Sequence, residues 1–75
     1  MTEKPLPYSP PAHLVESAEK ALGEAGAEEL KLAADLYAAY CAVTEGRSAV
    51  TGALLPPFSA CPVLVRAAWL AAARV

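Results

Sequence analysis

From Pro62 to Arg74 the chain reads P-V-L-V-R-A-A-W-L-A-A-A-R, and two arginines are its only polar side chains. The run predicts a helix with Pro62 in its first turn, where a missing N–H costs nothing, continuing to about Arg74. A helix that is hydrophobic on every side is normally buried. Seventy-five residues cannot readily surround one, because a chain this short buries only about 60% of its unfolded surface. The second face of this helix is therefore expected to pack on another subunit. Composition agrees: 56% of the residues are hydrophobic, above the roughly 45–50% usual in globular domains. Other aids to a small core are scarce. Cys41 and Cys61 can form at most one bridge, and with the single histidine they fall short of a four-ligand zinc site within one chain.

Upstream, two further helices are expected. Residues 1–11 carry Pro5, Pro7, Pro10 and Pro11 without an apolar period and read as a flexible proline-rich arm; residues 12–75 read as a single helical domain. Ser9-Pro10-Pro11 suits a helix start, with the hydroxyl capping free amides. Helix 1 then runs to about Gly23, with Leu14, Val15, Ala18, Ala21 and Leu22 on one side. Gly23 and Gly26 bracket a break. Helix 2 begins near Ala27, with Glu28 and Glu29 favourably placed for the helix dipole. Leu30, Ala33, Leu36, Tyr37, Tyr40 and Val43 form its apolar stripe, and Gly46 suits the left-handed position that ends it. No strand-like alternation is present. The fold class is all-α: two or three short helices, with helices 2 and 3 forming a hairpin across a long structured loop, Arg47–Cys61, assembled as an oligomer through helix 3 and the apolar face of helix 2.

Charge divides the chain sharply. Residues 1–45 hold all eight acids and all three lysines, a balance of −5, whereas residues 46–75 hold three arginines and no acid, a balance of +3. The total of −2 argues against a duplex nucleic-acid partner, which calls for a basic stripe and a high isoelectric point. The longest uncharged stretch, Ser48–Val65, is interrupted by Gly52, Pro56, Pro57 and Pro62, which argues against a membrane span. The N-terminus lacks the basic-then-apolar order of a secretory signal. A cytoplasmic protein with reduced thiols is expected.

The acid-free segment holds the candidate binding residues. Arg47, Ser48 and Thr51 follow a helix end in a glycine-flanked loop. Arginine grips phosphate in two-pronged fashion, and hydroxyls and loop amides add donors. Arg66, early in helix 3, would join them beside a helix N-terminus, which favours negative charge. The plainer account pairs Arg47 with Glu45 or a helix C-terminus and spends the hydroxyls on local amides. The loop is not a P-loop, since it lacks G-x-x-x-x-G-K-[ST]. Tyr37, Tyr40, Phe58 and Trp69 are suited to stacking on a base, but core packing is the simpler account of them. His13, with Glu16 one turn on, has no assignable nucleophile or oxyanion donor beside it. Cys41 and Cys61 read as small buried residues. No enzyme is expected, and neither a metal nor a cofactor is called for.

The string Leu36-Tyr37-Ala38-Ala39-Tyr40, followed by Gly46-Arg47-Ser48, Thr51-Gly52, Leu55-Pro56-Pro57-Phe58, Pro62 and Ala68-Trp69-Leu70-Ala71-Ala72-Ala73, resembles a group of small, mostly uncharacterised phage-encoded proteins. Their pattern is Y-x-A-Y, a glycine-basic turn, a P-P-aromatic element and A-W-x-A-A-A. The likeness covers about half the chain, from helix 2 onward. Phe58 stands where tryptophan is common, and Ser59-Ala60 replaces an acidic pair, which makes this loop friendlier to an anion. Two functions follow as expectations. One is a non-enzymatic, oligomeric small-ligand binding protein; the phage setting implies an anti-defence role, sequestering a nucleotide signal with arginines on phosphates and aromatics on bases. The alternative is a protein-interaction module, an inhibitor or adaptor acting through its apolar helix and proline arm.

Overall fold

The computed structural model describes residues 9–75, so most of the proline-rich arm lies outside the described residues. Three α-helices, α1 (Ala12–Glu24), α2 (Ala27–Thr44) and α3 (Val63–Ala73), are joined by a two-residue elbow and by a long loop that contains a short 3-10 turn, Phe58–Ala60. Among the described residues there is no strand, only an isolated antiparallel bridge between Arg47 and Leu54.

The helix starts depart from expectation in one respect. Pro11 and Pro62 occupy the flanking position rather than the first turn, both in extended geometry with ψ of 144° and 152°. Their carbonyls open the helices: Pro11 O accepts from Leu14 N and Val15 N, and Pro62 O accepts from Arg66 N. Ser9 does not cap α1: the flanking position is Pro11, two residues on, and no side-chain cap bond is made there. The break falls at Ala25–Gly26, both extended. Gly23 is accommodated within α1, one residue before its end.

α2 is anchored at its N-terminus by Glu29, whose Oε1 accepts from Gly26 N at 3.1 Å. This is the returning arm of a capping box, and the glycine supplies no reciprocal side chain. At its C-terminus Glu45 (φ 57°) and Gly46 (φ 78°) are both left-handed. The turn thus begins one residue before the glycine, and Gly46 N closes it on Cys41 O at 2.8 Å.

α3 is the common partner of the other two helices, packing on α1 and on α2. The core between them is thin. Among the described residues Ala18, Ala33, Tyr37, Cys61 and Leu70 are its buried apolar residues, and Leu70, 1% exposed, is the sole large side chain fully enclosed. The all-round apolar α3 is therefore not wholly covered within one chain: Val65, Ala68, Ala71 and Ala72 face outward. Val43, expected on the apolar stripe of α2, is 85% exposed. It lies three residues beyond Tyr40, where the stripe has rotated away from α3.

Candidate functional site

The eight candidate residues fall into three groups, and the structure does not gather them into one site. The first is aromatic. Tyr37 stands 5.7 Å from Phe58 and 5.8 Å from Trp69 between ring centroids, and Trp69 stands 5.8 Å from Tyr40. Interplanar angles of 51–71° are the tilted and edge-on arrangements of packed aromatics. These rings are occupied with one another, which favours the packing account of them. The phenols are occupied too. Tyr37 Oη donates to Pro56 O at 2.6 Å, and Tyr40 Oη accepts from Ala49 N at 2.8 Å. The two tyrosines of α2, spaced one turn apart, thus pin two points of the loop. The Cys61 sulfur, burial and the Cys41 sulfur together push the Tyr37 phenol well above its usual pKa.

The second group is the loop. Arg47 Nη1 donates to Gly52 O at 3.0 Å, so the arginine bridges its own turn rather than pairing with Glu45 or a helix end. Ser48 Oγ accepts from Val50 N and Thr51 N, and Thr51 Oγ1 accepts from Ala53 N. Backbone bonds from Ser48 N to Ala53 O and from Leu55 N to Gly46 O, both 2.8 Å, close the turn. The donors that looked suited to an anion are largely spent on the loop itself.

The third group is Arg66 and Phe58, and these two do share a cavity. A volume of about 430 Å³ opens at the α1–α2 elbow, lined by Leu22, Ala27, Leu30, Lys31, Phe58, Ser59 and Arg66. The elbow creates it: α1 ends and α2 begins on one side, while the 3-10 turn and the first turn of α3 form the other. Arg66 is oriented by its Nε, which donates to Cys61 O at 3.0 Å; among the described residues its two Nη atoms have no hydrogen-bond partner. Lys31 Nζ is 3.0 Å from Asp35 in an exposed i,i+4 pair. The lining is apolar with two cations and one hydroxyl. That combination is chemically suited to an anion attached to an apolar body. Of the residues missed from sequence, Ala27, Leu30 and Lys31 share one face of α2 at three- and four-residue spacing, a legible signal. Nothing local tells that this face meets Ser59.

No family model, curated protein or solved structure matches the chain. Its chemistry is therefore read from its own geometry. Among the described residues no three His, Cys, Asp or Glu side chains gather as metal ligands, and no helix is long and apolar enough to cross a membrane.

The third arginine, Arg74, has a structural place. Its Nε and Nη2 donate to the two carboxylate oxygens of Glu29 at 2.8 and 3.1 Å, tying the end of α3 to the start of α2. The Arg74 hydrogen bond, aided by the Gly26 N–H, lowers the Glu29 carboxyl from 4.5 to about 2, and the same pairing raises Arg74.

Proposed function

We propose that the protein is a non-enzymatic binding protein for a small anion carrying an apolar or aromatic body, held in the elbow cavity. The observation that carries this reading is the cavity itself: about 430 Å³, within the roughly 300–1,000 Å³ range of ligand pockets, mostly apolar with a few convergent polar groups. Arg66 offers its Nη atoms to the charge, with Lys31 and Ser59 beside it. Leu22, Leu30 and Phe58 take the body. Ser59 stands where the resembled phage-encoded proteins carry acid, so this chain places no carboxylate there to repel an anion. A nucleotide fits the class, with phosphate on Arg66 and base against Phe58, and the phage resemblance favours an anti-defence, signal-sequestering use.

A panel of linear and cyclic nucleotides and aromatic carboxylates, screened by thermal shift and followed by calorimetry, tests the reading. Arg66→Ala should weaken any hit by at least about tenfold, the loss of one charge-assisted bond pair. Arg47→Ala should leave affinity unchanged, because Arg47 is engaged by Gly52 and lies outside the cavity. No hit across the panel, or equal loss from both variants, overturns the proposal.

A second reading rests on a different observation. Val43, Val50 and Leu54 are 85%, 91% and 73% exposed, apolar surface that the single chain leaves uncovered. Protein interaction through these residues and the outer face of α3, beginning with self-association, would cover it. Light scattering at micromolar concentration decides: a stable monomer removes the oligomer.

A further inference from the structure

A nucleoside and a plain alkyl or aryl group could each serve as the body of an anion in the elbow cavity, and its walls tell them apart. Charge is the first discriminator. Lys31 Nζ is 3.0 Å from Asp35 Oδ2, so its charge is balanced within its own helix. Arg66 has no carboxylate partner among the described residues. Its Nε is spent on Cys61 O at 3.0 Å, which leaves the Nη1–Nη2 end of the guanidinium as a two-pronged donor. That end matches the two oxygens of one carboxylate. A phosphate monoester brings about −1.5 to −2 charges at neutral pH, more than one uncompensated arginine balances.

The rest of the wall discriminates in the same direction. Leu22, Ala27, Leu30 and Phe58 contribute no side-chain donor or acceptor, and Ser59 is the one hydroxyl in the lining. A nucleoside entering here would lay ribose hydroxyls and base edges against hydrocarbon. Each polar group that loses water there without gaining a partner weakens binding. An alkyl or aryl body loses nothing and gains with every carbon buried. On the reading of the elbow cavity as an anion site, we infer that its ligand is a hydrophobic monocarboxylate. Arg66 takes the carboxylate, with Ser59 beside it, and an unsubstituted alkyl or aryl body lies over Leu22, Leu30 and Phe58.

Calorimetry of the full chain with hexanoate, octanoate and decanoate, each below its micelle concentration, tests this, with octanol and adenosine monophosphate as comparators. Affinity should rise by up to about fourfold per methylene until the body fills the cavity. Octanol has the body without the charge, and the nucleotide has the charge with a polar body. Each should bind at least about tenfold more weakly than octanoate. Arg66→Ala should weaken octanoate by a similar factor, and Leu30→Ala should reduce the gain per methylene. The wild-type series decides even where a variant folds poorly. Carboxylate affinity that ignores chain length overturns the inference. Adenosine monophosphate binding as tightly as octanoate, with loss in Arg66→Ala, overturns it too but leaves the anion site standing. Octanol binding as tightly as octanoate, or no binding by any compound, removes both.

Discussion

Leu70→Ala is the most informative perturbation of the fold, because one side chain carries so much of its interior. Leu70 is 1% exposed, and Leu→Ala at such sites costs about 2–5 kcal/mol, depending on how far the gap collapses. Here collapse is poor. The other buried residues of the helices are Ala18, Ala33 and Tyr37; the alanines have no side chain to rotate inward, and Tyr37 is tethered through Pro56. The upper half of the range follows, about 3–5 kcal/mol. A chain of 75 residues has a total stability of only about 4–11 kcal/mol on the usual per-residue scale, so the variant should be near its unfolding threshold at room temperature. Urea denaturation followed by far-ultraviolet circular dichroism measures the loss, with Leu32→Ala as control. Leu32 is 47% exposed, so its truncation should cost less than about 1 kcal/mol. Equal losses from the two variants, or a loss below about 1 kcal/mol for Leu70→Ala, would refute the placement of the core. Repeating the series at several protein concentrations adds a further reading, since a midpoint that rises with concentration reports subunit association.

Glu29 makes stability depend on acid. Its carboxyl titrates at 4.5 when unfolded and at about 2 when folded, so its contribution is complete above the first value and disappears as pH falls through the second. Melting temperature against pH should therefore fall more steeply below 4.5 in the wild type than in Glu29→Gln, and equal slopes would show that the Arg74 pair is not formed. At the end of α2, Gly46 has φ 78° with open space where a Cβ would sit, so Gly46→Ala should cost about 1 kcal/mol through backbone strain alone. Glu45→Gly relieves the same strain one residue earlier and should shift stability by less, and upward, because unfolded-chain entropy offsets part of the gain. Chemical denaturation of the two variants checks both signs.

The helices were legible because each carries its own period and punctuation. Leu30, Ala33, Leu36, Tyr37 and Tyr40 mark the inner face of α2, the elbow takes in Gly26, the second of the two expected glycines, and the loop before α3 is announced by its prolines. Positions that depend on a second element were not legible. Val43 continues the spacing of α2 yet projects into solvent, since periodicity does not record where the partner helix stops. Arg47 looks available for an anion because a sequence does not show that Gly52 O returns to it. Of the eight candidate residues, Arg66 and Phe58 line the cavity, but Lys31, Leu22 and Ser59 reach it from three separate elements. The acid-free character of residues 46–75 also acquires a physical account. Arg47 and Arg66 bond backbone carbonyls, while Arg74 finds its carboxylate on α2, 45 residues away.

The segment Pro56–Pro62 is where these threads meet. Pro56 and Pro57 have no N–H, so neither can join a backbone ladder as a donor, and their carbonyls are left for other partners. Pro56 O takes the Tyr37 hydroxyl; Pro57 O takes Ala60 N and the Cys61 thiol. Phe58 packs on Tyr37 and also lines the elbow cavity, and Cys61 O fixes the Arg66 guanidinium through Nε. Cys61 thus anchors the segment twice, its thiol on Pro57 O and its carbonyl under the Arg66 guanidinium.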